Sequence, residues 1–183
     1  RFFDGFKGTV LEAKDICCGH LRQFSMKLSK GEIAEINCRS GRDYIEIKNV
    51  FTGRANPVSG KLIYEGRVRN LNVLSRAIAK GEIGCVDFAD LDNLLFENLS
   101  IVENICYPLC LKNTGFFLHK KYRKLAEDYV KKLMPGLNLE KRVKSLTQEQ
   151  IMQLAFCKWI LCKPKLLIIF ISSPFLKDEP DHV

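Results

Sequence analysis

Near the end of this chain a helix with a strong start signal runs straight into a continuous apolar strand. Thr147 and Gln150 form a capping-box pattern, in which each side chain satisfies a backbone amide left free at a helix start. The helix then carries Ile151, Met152, Ala155, Phe156 and Trp159. Pro164 ends it, because proline has no N–H for the helical ladder. Leu166 to Ile171 is apolar at every position, the pattern of a strand covered on both faces by helices. A helix that delivers such a strand implies an α/β architecture.

The upstream segments extend the same alternation. Phe24, Met26 and Leu28 alternate with Ser25, Lys27 and Ser29, which predicts a half-buried strand. Lys30-Gly31 supplies a turn before a second strand through Ile33 and Ile36, completing a hairpin. A loop at Cys38 to Asp43 leads to a short helix carrying Ile47, Val50 and Phe51, ended by Gly53. Asn56-Pro57 and Ser59-Gly60 punctuate the way to a strand at Leu62 to Tyr64, closed by Gly66. A helix near Val73 to Ala79 and a strand at Ile83 to Phe88 follow.

The middle breaks the alternation. Ser100 with Glu103 makes a second capping-box pattern, and helical character then runs to about Leu133, with a break near Asn113 to Gly115. The expected organisation is a single domain over residues 1–183, with a β hairpin and core at about 8–98 and 140–183 and a helical insertion at about 99–139. No internal repeat or low-complexity tract interrupts it.

With 46% hydrophobic and 27% charged residues, the 183-residue chain has an ordinary globular balance and enough apolar material for a core. No apolar run reaches the length that spans a bilayer, none reads as a secretory leader, and the chain opens on Arg1 rather than Met. The eight cysteines (Cys17, Cys18, Cys38, Cys85, Cys106, Cys110, Cys157 and Cys162) fall in apolar segments and include no C-x-x-C pair. They read as reduced, buried small hydrophobes in a cytosolic protein. Cys106 and Cys110 lie one helical turn apart, within reach in principle of a metal shared with His119. The chain has only three histidines and the spacing matches no common zinc pattern, so no metal site is expected.

Much of the net charge of +8 gathers in His119-Lys120-Lys121-Tyr122-Arg123-Lys124 with Lys131-Lys132. Such a cluster suits nucleic acid or an anionic membrane surface. Tyr122, Leu125, Tyr129 and Leu133 recur at helical spacing, so the competing reading is one amphipathic helix with a solvated basic face. No nucleic-acid-binding motif accompanies the charge, and the solvated face is the preferred expectation.

Four segments share one further property. Leu28-Ser29-Lys30-Gly31-Glu32-Ile33, Ser59-Gly60-Lys61-Leu62, Ser100-Ile101-Val102-Glu103-Asn104-Ile105 and Leu146 through Ile169, the last including Lys158-Trp159-Ile160, resemble in order and spacing the nucleotide-binding domain of an ABC transporter. The likeness runs from the hairpin almost to the chain's end and is nearest to the second nucleotide-binding half of bacterial sugar importers. It implies a P-loop NTPase-like ABC ATPase core of α/β class, with an antiparallel β hairpin region and a helical subdomain inserted.

The chemistry of that family is missing at each motif. Its phosphate loop needs G-x-x-x-x-G-K-[ST], in which backbone amides surround phosphate, Lys neutralises it and Ser/Thr holds magnesium. The matching stretch is Cys38-Arg39-Ser40-Gly41-Arg42-Asp43-Tyr44-Ile45, so Tyr44 replaces the lysine, Ile45 the metal hydroxyl, and Asp43 sets a negative charge where glycine approaches phosphate. Arg39 or Arg42 offers partial compensation for the lost charge.

The strand that should carry a magnesium aspartate and a catalytic glutamate continues as Phe170-Ile171, or as Ser172-Ser173 in the register set from Pro174. Asp178-Glu179-Pro180 beyond it reads as a solvated loop. The metal-contacting Gln or Glu falls at Phe88, and the signature becomes Leu146-Thr147-Gln148-Glu149-Gln150. In that family the signature closes over the partner subunit's nucleotide, where Glu149 adds bulk and negative charge. Loss of base and metal ligand removes both main supports of attack on a γ-phosphate.

The resemblance thus implies no catalytic residue and no metal site, with ATP and magnesium bound weakly if at all. Ser40, Gly41, Arg42, Tyr44 and Ile45 would be a remnant phosphate loop, and Leu146 to Gln150 a remnant signature. The leading expectation is a domain without ATPase activity, kept for interaction or regulation linked to sugar transport or sensing. The alternatives are a nucleotide-binding subunit of a sugar importer and a DNA-associated regulatory module. Expected partners are a second copy or another ABC-type subunit and a membrane-transporter or regulatory protein, with nucleic acid the least favoured. The expected location is cytoplasmic, peripheral to the membrane's cytoplasmic face.

Overall fold

Strand β1 (Thr9–Cys18) is the centre of an antiparallel sheet with order β2-β1-β3-β4, formed with β2 (Leu21–Ser29), β3 (Ser59–Tyr64) and β4 (Arg67–Arg69). The computed structural model describes residues 8–69, 72–113 and 120–171. Its described residues divide into two compact units, one up to residue 76 and one from residue 77 on. In the first, Leu11 and Ala13 are buried, and the register then slips before Ile16, where Asp15 takes φ +48. The extra residue returns Ile16 to the buried face. Ser25 Oγ accepts the Asp15 amide at 2.9 Å, holding the bulge from the neighbouring strand.

Helix α1 (Gly41–Thr52) packs on this sheet through Ile47, Val50 and Phe51, all buried as their spacing predicts. The Phe51 ring meets Phe24 of β2 edge-on, with centroids 6.1 Å apart. Gly53 ends the helix at φ +72, a left-handed cap that costs glycine nothing in Cβ strain.

The hairpin forms with a different partner from the one expected. Residues 32–38 take no regular structure, and Ile33 is 96% exposed. β2 instead pairs backwards with β1, Leu28 opposite Leu11 and Met26 opposite Ala13. Alternation at Ile33 and Ile36 offers one apolar face, but a strand also needs a neighbour for its amides and carbonyls, and none pairs here.

After α2 (Asn72–Ala79), the second unit holds β5 (Ile83–Asp87), α3 (Ile101–Asn113), α4 (Lys120–Leu133), α5 (Gln148–Cys162) and β6 (Leu166–Phe170). The helices expected over 99–139 lie within this unit, beside α5 and the strand pair. The predicted break between α3 and α4 falls largely outside the described residues. β5 and β6 run parallel, Ile83 opposite Leu166 through to Asp87 opposite Phe170. α5 covers one face closely. A Cβ on Gly84 would come within 2.8 Å of Leu167 Cδ1 and 3.1 Å of Trp159 Cδ2, so a side chain here would have to turn Leu167 aside and press Trp159 back by a few tenths of an ångström. The Trp159 indole N–H donates to the Cys85 carbonyl at 3.0 Å.

Burial corrects three sequence expectations. β6 is not covered on both faces: Leu166 and Phe170 are buried, whereas Leu167 is 37% and Ile169 41% exposed. An all-apolar run fits either environment, and coverage depends on what packs beside it. On α4 the buried residues are Ala126 and Val130, while Leu125 and Leu133 are exposed. Tyr122 and Tyr129 of the expected stripe do pack against the core beside Ala126 and Val130, so the buried face lies between them and leaves Leu125 at its edge. Of the cysteines, Cys18, Cys106, Cys110, Cys157 and Cys162 are buried, but Cys17, Cys38 and Cys85 are only partly so.

Candidate functional site

The predicted phosphate-loop remnant is the start of α1. A helix start exposes unpaired amides and the positive end of the helix dipole, the basis of phosphate binding by such loops. Ser40 is the N-cap, in extended conformation, and its hydroxyl accepts the Asp43 amide at 3.1 Å. The Tyr44 amide begins the ladder by donating to the Ser40 carbonyl at 3.2 Å. Asp43 places its carboxylate in the first turn, against the dipole. Gly41 is buried, Arg39 and Arg42 are exposed, Tyr44 is half-buried and Ile45 is exposed. Ser40 to Ile45 therefore share one helix start, already capped by a hydroxyl and neutralised by a carboxylate.

Glu46, the next residue, escaped the sequence reading. Its carboxylate accepts the His20 amide at 2.7 Å and the Leu21 amide at 2.6 Å, gripping the β1–β2 turn, while the Arg22 guanidinium donates to the Gly19 carbonyl. A lone Glu on a helix carries no signal for a contact some twenty-five residues away in sequence.

At the end of β6, Phe170 is buried and its carbonyl accepts the Phe88 amide at 2.9 Å, whereas Ile171 is 68% exposed. The Phe88 ring packs on Phe156 with centroids 5.3 Å apart, in the place of the expected amide or carboxylate. Across the register from Phe170 stands Asp87, whose carboxylate accepts the Ala89 amide at 3.1 Å. Ser172, Ser173 and Asp178-Glu179-Pro180 lie outside the described residues, as does His119. Among the described residues no group of three or more His, Cys, Asp or Glu is placed to hold a metal ion.

The signature remnant is the start of α5. Thr147 Oγ1 accepts the Gln150 amide at 3.3 Å, and Gln150 Oε1 accepts the Thr147 amide at 3.0 Å, completing the capping box. Leu146 is half-buried, Gln148 and Glu149 are exposed, and Gln153 Nε2 donates to Glu149 Oε1 at 3.4 Å. Here too a helix start is closed by its own side chains and carries a carboxylate.

The Ser100 to Ile105 segment is a structural joint. The Ser100 hydroxyl and amide both donate to Glu103 Oε2 at 2.7 Å, which holds that carboxyl below its ordinary range. Asn104, 1% exposed, accepts the Phe96 amide at 2.6 Å and donates to the Phe96 and Ser100 carbonyls. The Ile101 and Val102 amides donate to the carbonyls of Lys141 and Leu139. At Lys158, Nζ donates to the Leu94 carbonyl at 2.7 Å and sits 5.3 Å from the Trp159 ring centre. Burial lowers its pKa to about 8.

These donors do not fit a magnesium–triphosphate. The described motif positions supply neither the hydroxyl nor the carboxylates that would hold magnesium, and the helix start that would face phosphate carries Asp43.

No family model matches the chain. It is 26% identical over 152 residues to the lipoprotein-releasing system ATP-binding protein LolD of Buchnera aphidicola, covering 81% of this chain and 63% of that protein. It is 28% identical over 165 residues to the ribose import ATP-binding protein RbsA of Clostridium perfringens, covering 87% of this chain and 33% of that protein. The chain thus spans less than two thirds of either relative. Among solved structures, cbiO1 of Clostridium perfringens, part of the ABC transporter complex cbiONQ, superposes with TM-score 0.68 at 19% identity, covering 95% of this chain and 69% of that one. The dimeric ATP-binding cassette MJ0796 bound to ADP and Pi superposes at 0.70 with 20% identity, covering 87% and 73%. The fold is that of an ABC ATP-binding cassette, and these relatives are ABC transporter ATP-binding proteins.

Proposed function

We propose that this chain is a cassette domain without ATPase activity of its own, retained for interaction or regulation in an assembly linked to sugar transport. One observation carries the reading: the α1 start that would cradle phosphate is capped by Ser40, bears Asp43, and offers Tyr44 and Ile45 in place of a cation and a metal hydroxyl. The strand end at Phe170 and Ile171, the Phe88 ring and Glu149 on the signature helix support it independently. Each of the four motif positions thus lacks the group that the resemblance would assign to it.

The link to sugar transport rests on the ribose importers among the relatives. The partner that suits such a domain is a second cassette, either another copy or an intact subunit, beside a membrane transporter at its cytoplasmic face. In such a pair Glu149 would also face the partner's nucleotide, so the domain contributes surfaces rather than a working half-site. A second reading, an importer subunit that still binds nucleotide, draws on Arg39 and Arg42, exposed at the helix start.

Calorimetric titration with ATP and magnesium separates the two. No heat and no thermal shift up to millimolar nucleotide is the expected result. Hydrolysis well above background that Tyr44→Ala or Glu149→Ala abolishes would overturn the proposal.

A further inference from the structure

Helix α4 carries a surface that the cassette motifs do not use. Lys120, Lys121, Lys124, Lys131 and Lys132 are all exposed. At 3.6 residues per turn they fall within an arc of about 120°, along a 14-residue helix roughly 21 Å long. Among the described residues, none of the five side chains makes an ion pair or hydrogen bond. The acids bordering the arc are engaged elsewhere: Arg123 pairs with Glu127 at 3.1 Å and also with Glu140. Asp128 is the one acid left among the lysines.

We infer that this face docks on an anionic lipid bilayer through headgroup phosphates and carboxylates. The buried side of α4, at Ala126 and Val130, is committed to the protein core, so the helix cannot insert and must lie on a surface by charge. Lysines on flexible stems spread over one helix face match a flat anionic plane, and exposed Leu125 at the edge of the arc adds an apolar contact at the interface. Duplex DNA is the poorer occupant, because the face offers no Arg, Asn or Gln to read base edges. Single strands are poorer too, since no exposed aromatic is interleaved for stacking. Juxtamembrane lysine clusters of this size bind anionic leaflets, each lysine strengthening attachment about fivefold. The inference rests on the proposed function only in supposing a membrane close by.

Vesicle co-sedimentation without nucleotide tests it, so its outcome is independent of the ATP titration. Phosphatidylcholine vesicles containing phosphatidylserine should retain the protein, rising salt should release it, and pure phosphatidylcholine should not bind it. Replacing Lys120, Lys121, Lys124, Lys131 and Lys132 by Gln should lower retention about a hundredfold or more, with the melting curve unchanged. The same neutralisation at exposed Lys27, Lys30, Lys61, Lys80 and Lys141 should lower it far less. Equal loss in both variants, no binding to phosphatidylserine vesicles, or tighter retention on duplex DNA at matched salt would overturn the inference.

Discussion

Thr147 and Gln150 hold each other's backbone: the threonine hydroxyl accepts the glutamine amide at 3.3 Å, and the glutamine side-chain oxygen accepts the threonine amide at 3.0 Å. This pair is spent on its own helix start. Thr147→Ala should destabilise the protein by about 1 kcal/mol, lowering the melting temperature by about 2–4 °C. Because the box is reciprocal, adding Gln150→Ala should cost less than the sum of the single changes, as a thermal-melt double-mutant cycle would show.

Asn104 should matter more. Its amide group satisfies both the amide and the carbonyl of Phe96 while 1% exposed, so Asn104→Leu leaves both without partners at about 1–3 kcal/mol each. Urea unfolding should show a clear fall in midpoint. An unchanged midpoint would mean that the joint is not structural.

Lys158 makes stability depend on pH with a defined sign. Burial lowers its folded pKa from 10.5 to about 8, so between those values the unfolded chain binds more protons than the folded one. Its contribution to stability therefore rises with pH through that window and is absent below about 8, where both states are protonated. Buried Cys106, pushed up to about 12, acts in the opposite sense at high pH, so the informative comparison is with Lys158→Met. That variant should lack the rising component in unfolding curves recorded across the window.

Rebuilding the phosphate loop should recover binding and not turnover. Asp43→Gly with Tyr44→Lys and Ile45→Ser supplies the missing approach, cation and hydroxyl at the α1 start, so a fluorescent nucleotide should bind more tightly than to the parent chain. Phosphate release should stay at background, because Phe170 and Ile171 still provide no carboxylate. Turnover by the rebuilt loop would show that another group serves as base.

Helix starts were the most legible features of this sequence. Ser100 with Glu103 and Thr147 with Gln150 signal their caps locally, and both pairs are in place. Local chemistry suffices there because a cap joins residues a turn apart. Strand β1 escaped notice for a local reason as well: the bulge at Asp15 shifts the alternation by one residue, and a period-two pattern with a slip reads as none. The contacts of Glu46 and Lys158 were not legible, since their partners are distant in sequence.

Sequence alone thus determined the α/β class and the capped helices, both properties of residue type and short spacing. Tertiary structure decided which strand β2 pairs with, which face of β6 is covered, and that α4 buries Ala126 and Val130 while turning its lysines outward. Pairing and burial depend on neighbours brought together from far along the chain. A local pattern can offer a face, but only packing selects what meets it.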